Sequence, residues 1–196
     1  MDDLRVRWAG ADDARGVAVV HVDSWRDAYR GLIDQSVLDA LSVDQRSEGW
    51  SHWIDLSLST RSNDGAAAPH RLLVTEVGGQ IAGWASFGAG RDPGMSQLGE
   101  LAGIYVHPAH WSTGVGHALL GRVERELLAE SFTDGYLWVL RGNDRATRFY
   151  ERHGWHADGV EKTGEAGGVT GLHEIRHSRR LSAEDSSEPA KEPHRE

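Results

Sequence analysis

The sequence predicts one α/β or α+β domain with at least one parallel strand–helix–strand crossover, and three observations lead to this class. The chain has 196 residues, of which 39% are hydrophobic and 26% are charged, so it is long enough to bury a core of its own. In the second half, segments in which apolar and polar residues alternate, as in a strand, are interleaved with segments in which apolar residues recur at helical spacing. The 24 glycines follow no repeat and indicate many turns.

The first half predicts a strand, three helices and a hairpin. Ser42-Val43-Asp44-Gln45 is a capping-box pattern that opens the third helix. Gly78-Gly79 suits a two-residue hairpin turn, which needs positive φ angles. The predicted ranges are a strand at 4–8, helices at 12–25 and 36–41, and the hairpin strands at 71–77 and 80–87.

The second half predicts the crossover itself. The predicted ranges are a strand at 97–106, an amphipathic helix at 114–130, a strand at 135–140, a helix at 144–153 and a final strand at 172–181. We expect loops at 61–69, 88–94 and 165–171. Residues 182–196 hold five acidic and two basic residues without a large apolar side chain, so we expect a disordered tail behind one domain at 1–181.

Composition excludes several function classes. The absence of cysteine excludes disulfides, thiolate zinc sites, iron–sulfur clusters and a cysteine nucleophile. A net charge of −9 disfavours nucleic acid as a partner. The start shows no signal-peptide pattern and no apolar run approaches the ~20 residues that span a bilayer, so we expect a cytoplasmic protein without membrane contact. His173 and His177 alternate on a predicted strand, about 13 Å apart, so we expect no metal site.

The stretch from Pro108 to Gly116 predicts an anion site. Pro108 ends a strand, and Ser112-Thr113-Gly114-Val115-Gly116 leads into a long helix. The first amides of a helix lack intrahelical acceptors, and glycines let a bulky anion approach them. A Walker loop is disfavoured because no lysine is present, and a dinucleotide fingerprint is disfavoured because Leu119 stands where the third glycine belongs. At this point the glycines are also compatible with a tight turn that binds no ligand.

A second informative segment follows the strand at 135–140. Asn143 is a suitable N-cap for the next helix, and Gly154 is a suitable residue to end it. Tyr150 lies off the apolar stripe of that helix, which packing alone does not explain. Its hydroxyl is a hydrogen-bond donor.

Together these segments resemble motifs A and B of the GNAT superfamily of N-acetyltransferases. Val106-His107-Pro108 and Gly114-Val115-Gly116 match motif A, although Trp111 stands where the family has Gln or Arg. Residues 137–155 match motif B, with a tryptophan in place of the final Phe, and residues 21–32 resemble a bacterial branch. The resemblance implies a mixed, mostly antiparallel sheet of six to seven strands flanked by helices. It also implies acetyl transfer from acetyl-coenzyme A to a primary amine by direct attack in a ternary complex, without a metal.

The resemblance further implies roles for individual residues. Tyr150 would be the general acid and Glu100 the general base, with His107, His110 or a water chain as alternatives. The backbone of Ile104, Tyr105 and Val106 would run beside the pantetheine arm, and Asn143 would contact pantetheine or the acceptor. Trp25 and Tyr29 would contact the acceptor. The pyrophosphate would be held by the backbone of Trp111, Ser112, Thr113, Gly114, Val115, Gly116 and His117.

Two other functions are compatible with the same motifs. One is a regulatory or sensor module that binds acyl-coenzyme A without transfer. The other is a protein acetyltransferase that acts on an N-terminus or a lysine. No motif in the N-terminal helices or the loops identifies the acceptor, which we expect to be a small molecule or a peptide. A homodimer is compatible with the family and with soluble enzymes generally.

Overall fold

A seven-stranded mixed sheet organises the protein, which the computed structural model describes over residues 3–60, 70–166 and 168–182. The strands are β1 (Arg5–Trp8), β2 (Arg71–Val77), β3 (Gln80–Ala89), β4 (Gly99–Val106), β5 (Asp134–Leu140), β6 (His156–Ala166) and β7 (Val169–Arg180). Their order is β1-β2-β3-β4-β5-β7-β6, in which β4 and β5 pair in parallel and the other pairs are antiparallel. The α+β class with a mostly antiparallel sheet is therefore confirmed.

Helices cover both faces of this sheet. They are α1 (Ala14–Ala28), α2 (Gln35–Asp39), α3 (Val43–Thr60), α4 (Val115–Ala129) and α5 (Asp144–Arg152). The crossover from β4 to β5 runs through α4, whose Leu119, Val123 and Leu127 are fully buried in the largest apolar cluster. Helices α1 and α3 bury the opposite face, where Val17, Val20 and other apolar side chains pack on β2 and β3.

Local sequence signals predict most of the connections correctly. Gly78 and Gly79 have φ angles of 58° and 79°, as the hairpin turn between β2 and β3 requires. Helix α1 runs to Ala28, three residues further than predicted, after a 3₁₀ turn at Ala11–Asp13. Strand β3 continues to Ala89, so the loop expected from residue 88 begins later. The loop expected at 61–69 and the tail from 183 onward lie outside the described residues.

The sequence analysis missed β6. This strand lies at the edge of the sheet and pairs with β7 on one side only. Many of its side chains are exposed, and two glycines, Gly159 and Gly164, interrupt it. An edge strand with solvent on both faces carries no apolar alternation, so the pattern that marks buried strands is absent. Residues 169–171, expected in a loop, likewise belong to β7.

A bulge and a split in the middle of the sheet position the functional site. Between β3 and β4 the register shifts, because Ser86 pairs with Gly103 while the next residue already pairs with Leu101. Ala102 is thus the extra, unpaired residue of a bulge in β4. The parallel pairing of β4 with β5 ends at Leu101 and Leu137. From there the two strands separate, and the edge of β4 that faces β5 is left open.

No helix in residues 3–60, 70–166 and 168–182 combines the length and apolar character needed to cross a membrane. The same ranges contain no group of three or more histidine or carboxylate side chains arranged to hold a metal ion.

Candidate active site

A cleft of about 410 Å³ opens where β4 and β5 separate. Its walls are the end of β4, the turn that leads into α4 and one face of α5. Nine of the residues predicted to contact a coenzyme line it: Ile104, Tyr105, Val106, Trp111, Ser112, Gly114, Gly116, His117 and Asn143. Thr113 and Val115 belong to the same turn without lining the cleft. Two motifs that are far apart in sequence therefore form one site.

The open edge of β4 presents peptide groups to the cleft. His107 N–H donates to Ala82 O on β3 at 2.8 Å, so the peptide groups of alternate residues on β4 face β3. The peptide groups of Ile104 and Val106 therefore point to the other side, where β5 has separated. Such an edge can pair with an extended chain in the manner of an added strand.

The turn before α4 exposes a set of backbone amides. Ser112 and Gly114 have φ angles of 62° and 92°, in the left-handed region. The first bond of the helix joins Ala118 N–H to Gly114 O at 2.9 Å, so the amides of Val115, Gly116 and His117 have no acceptor within the helix. They lie at the positive end of the dipole of a 15-residue helix. This arrangement suits a bound diphosphate.

Trp111 has a structural function where it departs from the family pattern. Its indole Nε1 donates to Val106 O at 2.8 Å and so fastens the turn to the end of β4. The guanidinium of Arg145 lies 3.8 Å from the centre of the ring. Trp111 therefore connects both motifs across the cleft.

Tyr150 lies in the wall of the cleft on α5. Asn143 caps this helix, since its Oδ1 accepts from Ala146 N–H at 3.1 Å. Tyr150 is 7% exposed, and burial raises the pKa of its hydroxyl well above the usual value. Within the described part of the chain this hydroxyl forms no hydrogen bond. The side chain is therefore protonated at neutral pH, and its hydroxyl can donate a hydrogen bond to a group bound in the cleft.

The structure does not bring Glu100 into the cleft. This buried carboxylate accepts hydrogen bonds from Arg91 N–H at 2.9 Å, Nε at 3.0 Å and Nη2 at 2.7 Å. Burial acts to raise the pKa of Glu100, but the hydrogen bonds and charge of Arg91 outweigh it, and the pKa lies below its usual value. A strongly paired carboxylate of low pKa is a weak proton acceptor. Its role as the base thus stays a prediction that this geometry disfavours.

The predicted acceptor residues lie one layer behind the cleft. Trp25 is buried against the ring of Tyr29, with centroids 5.0 Å apart. The hydroxyl of Tyr29 lies 3.0 Å from that of Tyr105, which does line the cleft. The residues of α1 that reach the cleft are their neighbours Ser24 and Ala28. Contact of Trp25 and Tyr29 with the acceptor stays a prediction, which their position behind the cleft disfavours.

The two histidines considered as alternative bases are placed differently. His107 uses both ring nitrogens, because Nδ1 accepts from Ala109 N–H at 3.2 Å and Nε2 contacts Asp23 Oδ2 at 3.2 Å. His110 lines the cleft beside Trp111.

Glu174 is a carboxylate that the sequence analysis overlooked. It lies on β7 opposite Leu140 of β5 and Lys162 of β6, and a Cβ atom at Gly164 would collide with its Oε2. In the described residues it has no hydrogen bond or ion pair. Burial raises its pKa, Lys162 opposes this, and the charges of Asp92 and Glu100 raise it further. Its sequence context, an alternating strand, contains no signal of this environment.

Three arginines on α5 were also missed. Arg145, Arg148 and Arg152 line the cleft beside the residues of the second motif. Their spacing of three and four residues could have shown that they share one face of the helix.

Comparison with known proteins agrees with this geometry. A profile of the acetyltransferase (GNAT) family matches residues 34–155. The chain is 31% identical over 140 residues to the uncharacterized N-acetyltransferase YuaI of Bacillus subtilis, covering 71% of this chain and 73% of that protein. It is 27% identical over 157 residues to the probable N-acetyltransferase Rv2775 of Mycobacterium tuberculosis, covering 80% and 82% of the two chains.

Solved structures show the same fold. The PaiA N-acetyltransferase of Thermoplasma acidophilum, in complex with coenzyme A, superposes with a TM-score of 0.71 at 16% identity, covering 91% of this chain and 99% of that chain. YncA of Salmonella typhimurium, a putative acetyltransferase with its cofactor acetyl-CoA, gives a TM-score of 0.61 at 22% identity, covering 92% and 95%. The family match, the relatives and the fold lead to one conclusion: this chain belongs to the GNAT family of acetyltransferases and is an N-acetyltransferase.

Proposed function

We propose that this protein transfers the acetyl group of acetyl-coenzyme A to a primary amine by direct attack in a ternary complex. The observation that carries the proposal is the single cleft that holds the free amides of the α4 turn, the open edge of β4 and the hydroxyl of Tyr150. A diphosphate, an extended amide-containing arm and a thioester are the three parts of acetyl-coenzyme A that such a cleft suits.

Different residues of the cleft suit successive parts of the coenzyme, from the pyrophosphate to the pantetheine arm. The amides of Val115, Gly116 and His117 would hold the pyrophosphate. The peptide groups of Ile104 and Val106 would pair with the pantetheine arm along the open edge of β4. The side-chain oxygen of Asn143 caps α5, which leaves its NH₂ group to donate to a pantetheine carbonyl.

The chemistry follows from holding both reactants in this cleft. A neutral amine attacks the thioester carbonyl, the C–N bond forms and the C–S bond breaks as the tetrahedral intermediate collapses. The departing thiolate takes the proton of Tyr150, and the amine nitrogen gives up its proton to a base. Transfer of that proton from the base to the Tyr150 oxygen through solvent restores both groups. An amide on the free edge of β4 would stabilise the carbonyl oxygen as its charge develops. Positioning the thioester and the amine together supplies much of the rate.

Glu174 is the best-suited base on the face of the sheet that carries α1. Its cross-strand partner Leu140 packs against the same apolar cluster as Tyr29 and Tyr105, and the charge of Glu174 contributes to the raised pKa of both tyrosines. Its raised pKa makes it a better proton acceptor than Glu100, which Arg91 neutralises. The same carboxylate would attract an acceptor that carries a positive charge.

Replacing Tyr150 by Phe tests the proposal. We expect kcat to fall by a factor of about 10² to 10⁴, because the thiolate loses its proton donor, while the Kd for coenzyme A stays close to that of the wild type. The measurement is acceptor-dependent thiol release over a panel of amino acids, polyamines, aminoglycosides and lysine peptides, together with calorimetry.

Tyr136→Phe is the matched control, since it removes another buried tyrosine hydroxyl, one that contacts Asp92 N–H at 3.4 Å outside the cleft. Unchanged turnover in the Tyr150 variant would remove this residue from the mechanism. Tight binding of acetyl-coenzyme A with no thiol release from any amine would favour a sensor module, and release with peptides alone would favour a protein acetyltransferase.

A further inference from the structure

Three arginines form a positively charged stripe along the cleft. Arg145, Arg148 and Arg152 occupy positions i, i+3 and i+7 of α5, so they lie on one face of the helix and span about 10 Å. All three line the cleft. Helix α5 runs beside the turn that precedes α4, because Arg145 stacks on Trp111 at one end and His153 contacts His117 at the other, with 2.9 Å between ring nitrogens.

The stripe has no carboxylate partner within residues 3–60, 70–166 and 168–182. Among the described residues, none of the three arginines forms an ion pair or a hydrogen bond with an acidic group. By contrast, Arg91 and Arg179 each contact a carboxylate within 3 Å. The whole chain carries a net charge of −9, so acidic partners are plentiful elsewhere on the molecule. The cleft therefore concentrates positive charge on a protein that is otherwise acidic.

This arrangement is unfavourable for α5 by itself. Arg145 lies in the first turn of the helix, where the dipole repels a cation. Arg148 and Arg152 add repulsion between like charges, and partial burial together with these two charges lowers the pKa of Arg145. A bound anion would offset both the repulsion between these positive charges and the unfavourable position of Arg145 at the start of the helix.

The stripe is longer than a diphosphate needs. The free amides of the α4 turn already provide a site for the pyrophosphate, and Arg145 stands next to that turn through its stacking on Trp111. Arg148 and Arg152 extend the positive surface by a further two turns of helix. Coenzyme A carries one more phosphate group, the phosphomonoester on the 3′-oxygen of its adenosine, and arginine is well suited to bind phosphate oxygens in pairs.

We propose that Arg148 and Arg152 bind the 3′-phosphate of coenzyme A and make this enzyme selective for coenzyme A over its 3′-dephospho form. This inference rests on the proposed function, since it concerns the far end of the same ligand.

Calorimetry with coenzyme A and with 3′-dephospho-coenzyme A tests it. We expect the wild type to bind coenzyme A at least about tenfold more tightly than the dephospho form, because charge-assisted hydrogen bonds to one phosphate are lost. In the double variant Arg148→Gln/Arg152→Gln the two ligands should bind almost equally, with the Kd for the dephospho form unchanged. Added salt should reduce the preference of the wild type.

Arg125→Gln is the matched control, because it removes one positive charge from an exposed position on α4 outside the cleft. It should leave the preference intact. Equal binding of both ligands by the wild type would overturn the inference while leaving acetyl-coenzyme A as the donor. An equal loss of affinity for both ligands in the double variant would also overturn the inference, because the arginines would then act on the pyrophosphate that the two ligands share. Failure of the wild type to bind either ligand would instead refute the proposed function.

Discussion

Glu100 and Glu174 show how one residue type acquires opposite properties on one face of the sheet. Glu100 pairs in register with Tyr136, and Glu174 lies opposite Leu140 four residues further along β5, so both side chains project to the α1 side. Arg91 binds one of them, whereas the other has no ion pair within the described ranges. Glu100 therefore stabilises the fold through its ion pair with Arg91, whereas Glu174 has no such partner among the described residues.

The two carboxylates should respond oppositely to replacement by Gln. The pKa of Glu174 is raised in the folded state, so its stabilising contribution exists at low pH and is lost as pH rises through that pKa. Glu174→Gln should therefore increase the melting temperature at pH 7 while removing the acid limb of the pH profile of kcat/KM. Thermal melts and initial rates at several pH values measure both effects.

Glu100→Gln serves as the comparison. The pKa of Glu100 is lowered, so its contribution is present above the usual carboxylate pKa and is lost as pH falls. Its loss should cost about 1–3 kcal/mol at pH 7, since Arg91 is 63% exposed and can be hydrated when its partner is gone. The acid limb should stay in place. An acid limb that moves in this variant and not in Glu174→Gln would restore Glu100 as the base.

At the scale of elements, the turn into α4 depends on one glycine. Gly114 has a φ of 92°, and nothing lies within 4 Å of the position that a Cβ atom would occupy. A substitution there is thus opposed by backbone conformation and not by crowding. The turn orients the three free amides, so its geometry and the binding of the diphosphate are coupled.

Gly114→Ala should destabilise the protein by about 1–2 kcal/mol and weaken the binding of coenzyme A. Gly121→Ala in the middle of the same helix is the matched control, because its Cβ would meet only Arg125 Nη1, at 3.8 Å. That change should stabilise the protein by about 0.5–1 kcal/mol and leave binding unaltered. Chemical denaturation and calorimetry give the two readouts. A Gly114 variant with full affinity would show that the turn does not hold the phosphates.

At the scale of the whole molecule, the split between β4 and β5 couples ligand binding to stability. The sheet loses pairing beyond Leu101 and Leu137, and the peptide groups on the free edge of β4 have no strand to pair with. A ligand that pairs with this edge and with the α4 turn binds the folded state and not the unfolded chain. It must therefore stabilise the fold.

Coenzyme A at about 100 times its Kd should add about 2.7 kcal/mol to the free energy of unfolding. For a chain of this size that corresponds to a rise of roughly 5–10 °C in the melting temperature. Differential scanning calorimetry measures the shift, and adenosine, which lacks the phosphates and the arm, is the control. A melting temperature unchanged by coenzyme A would contradict binding in this cleft.

The parts of the site that depend on neighbouring residues could be predicted from the sequence. The cap at Asn143 and the free amides before Ala118 both follow from chemistry within a few positions along the chain. These features were predicted because a turn or a helix end satisfies its backbone locally.

Contacts between side chains that are distant along the chain depend on how the elements pack. Glu100 is nine residues from Arg91, but their pairing depends on how the loop after β3 folds back over β4. Likewise Ser24, not Trp25, reaches the cleft because the packing of α1 on the sheet sets its rotation. Edge strand β6 could not be predicted because its sequence has no alternation of apolar residues. Contacts of this kind depend on strand register and helix rotation, which the packing of the whole core determines.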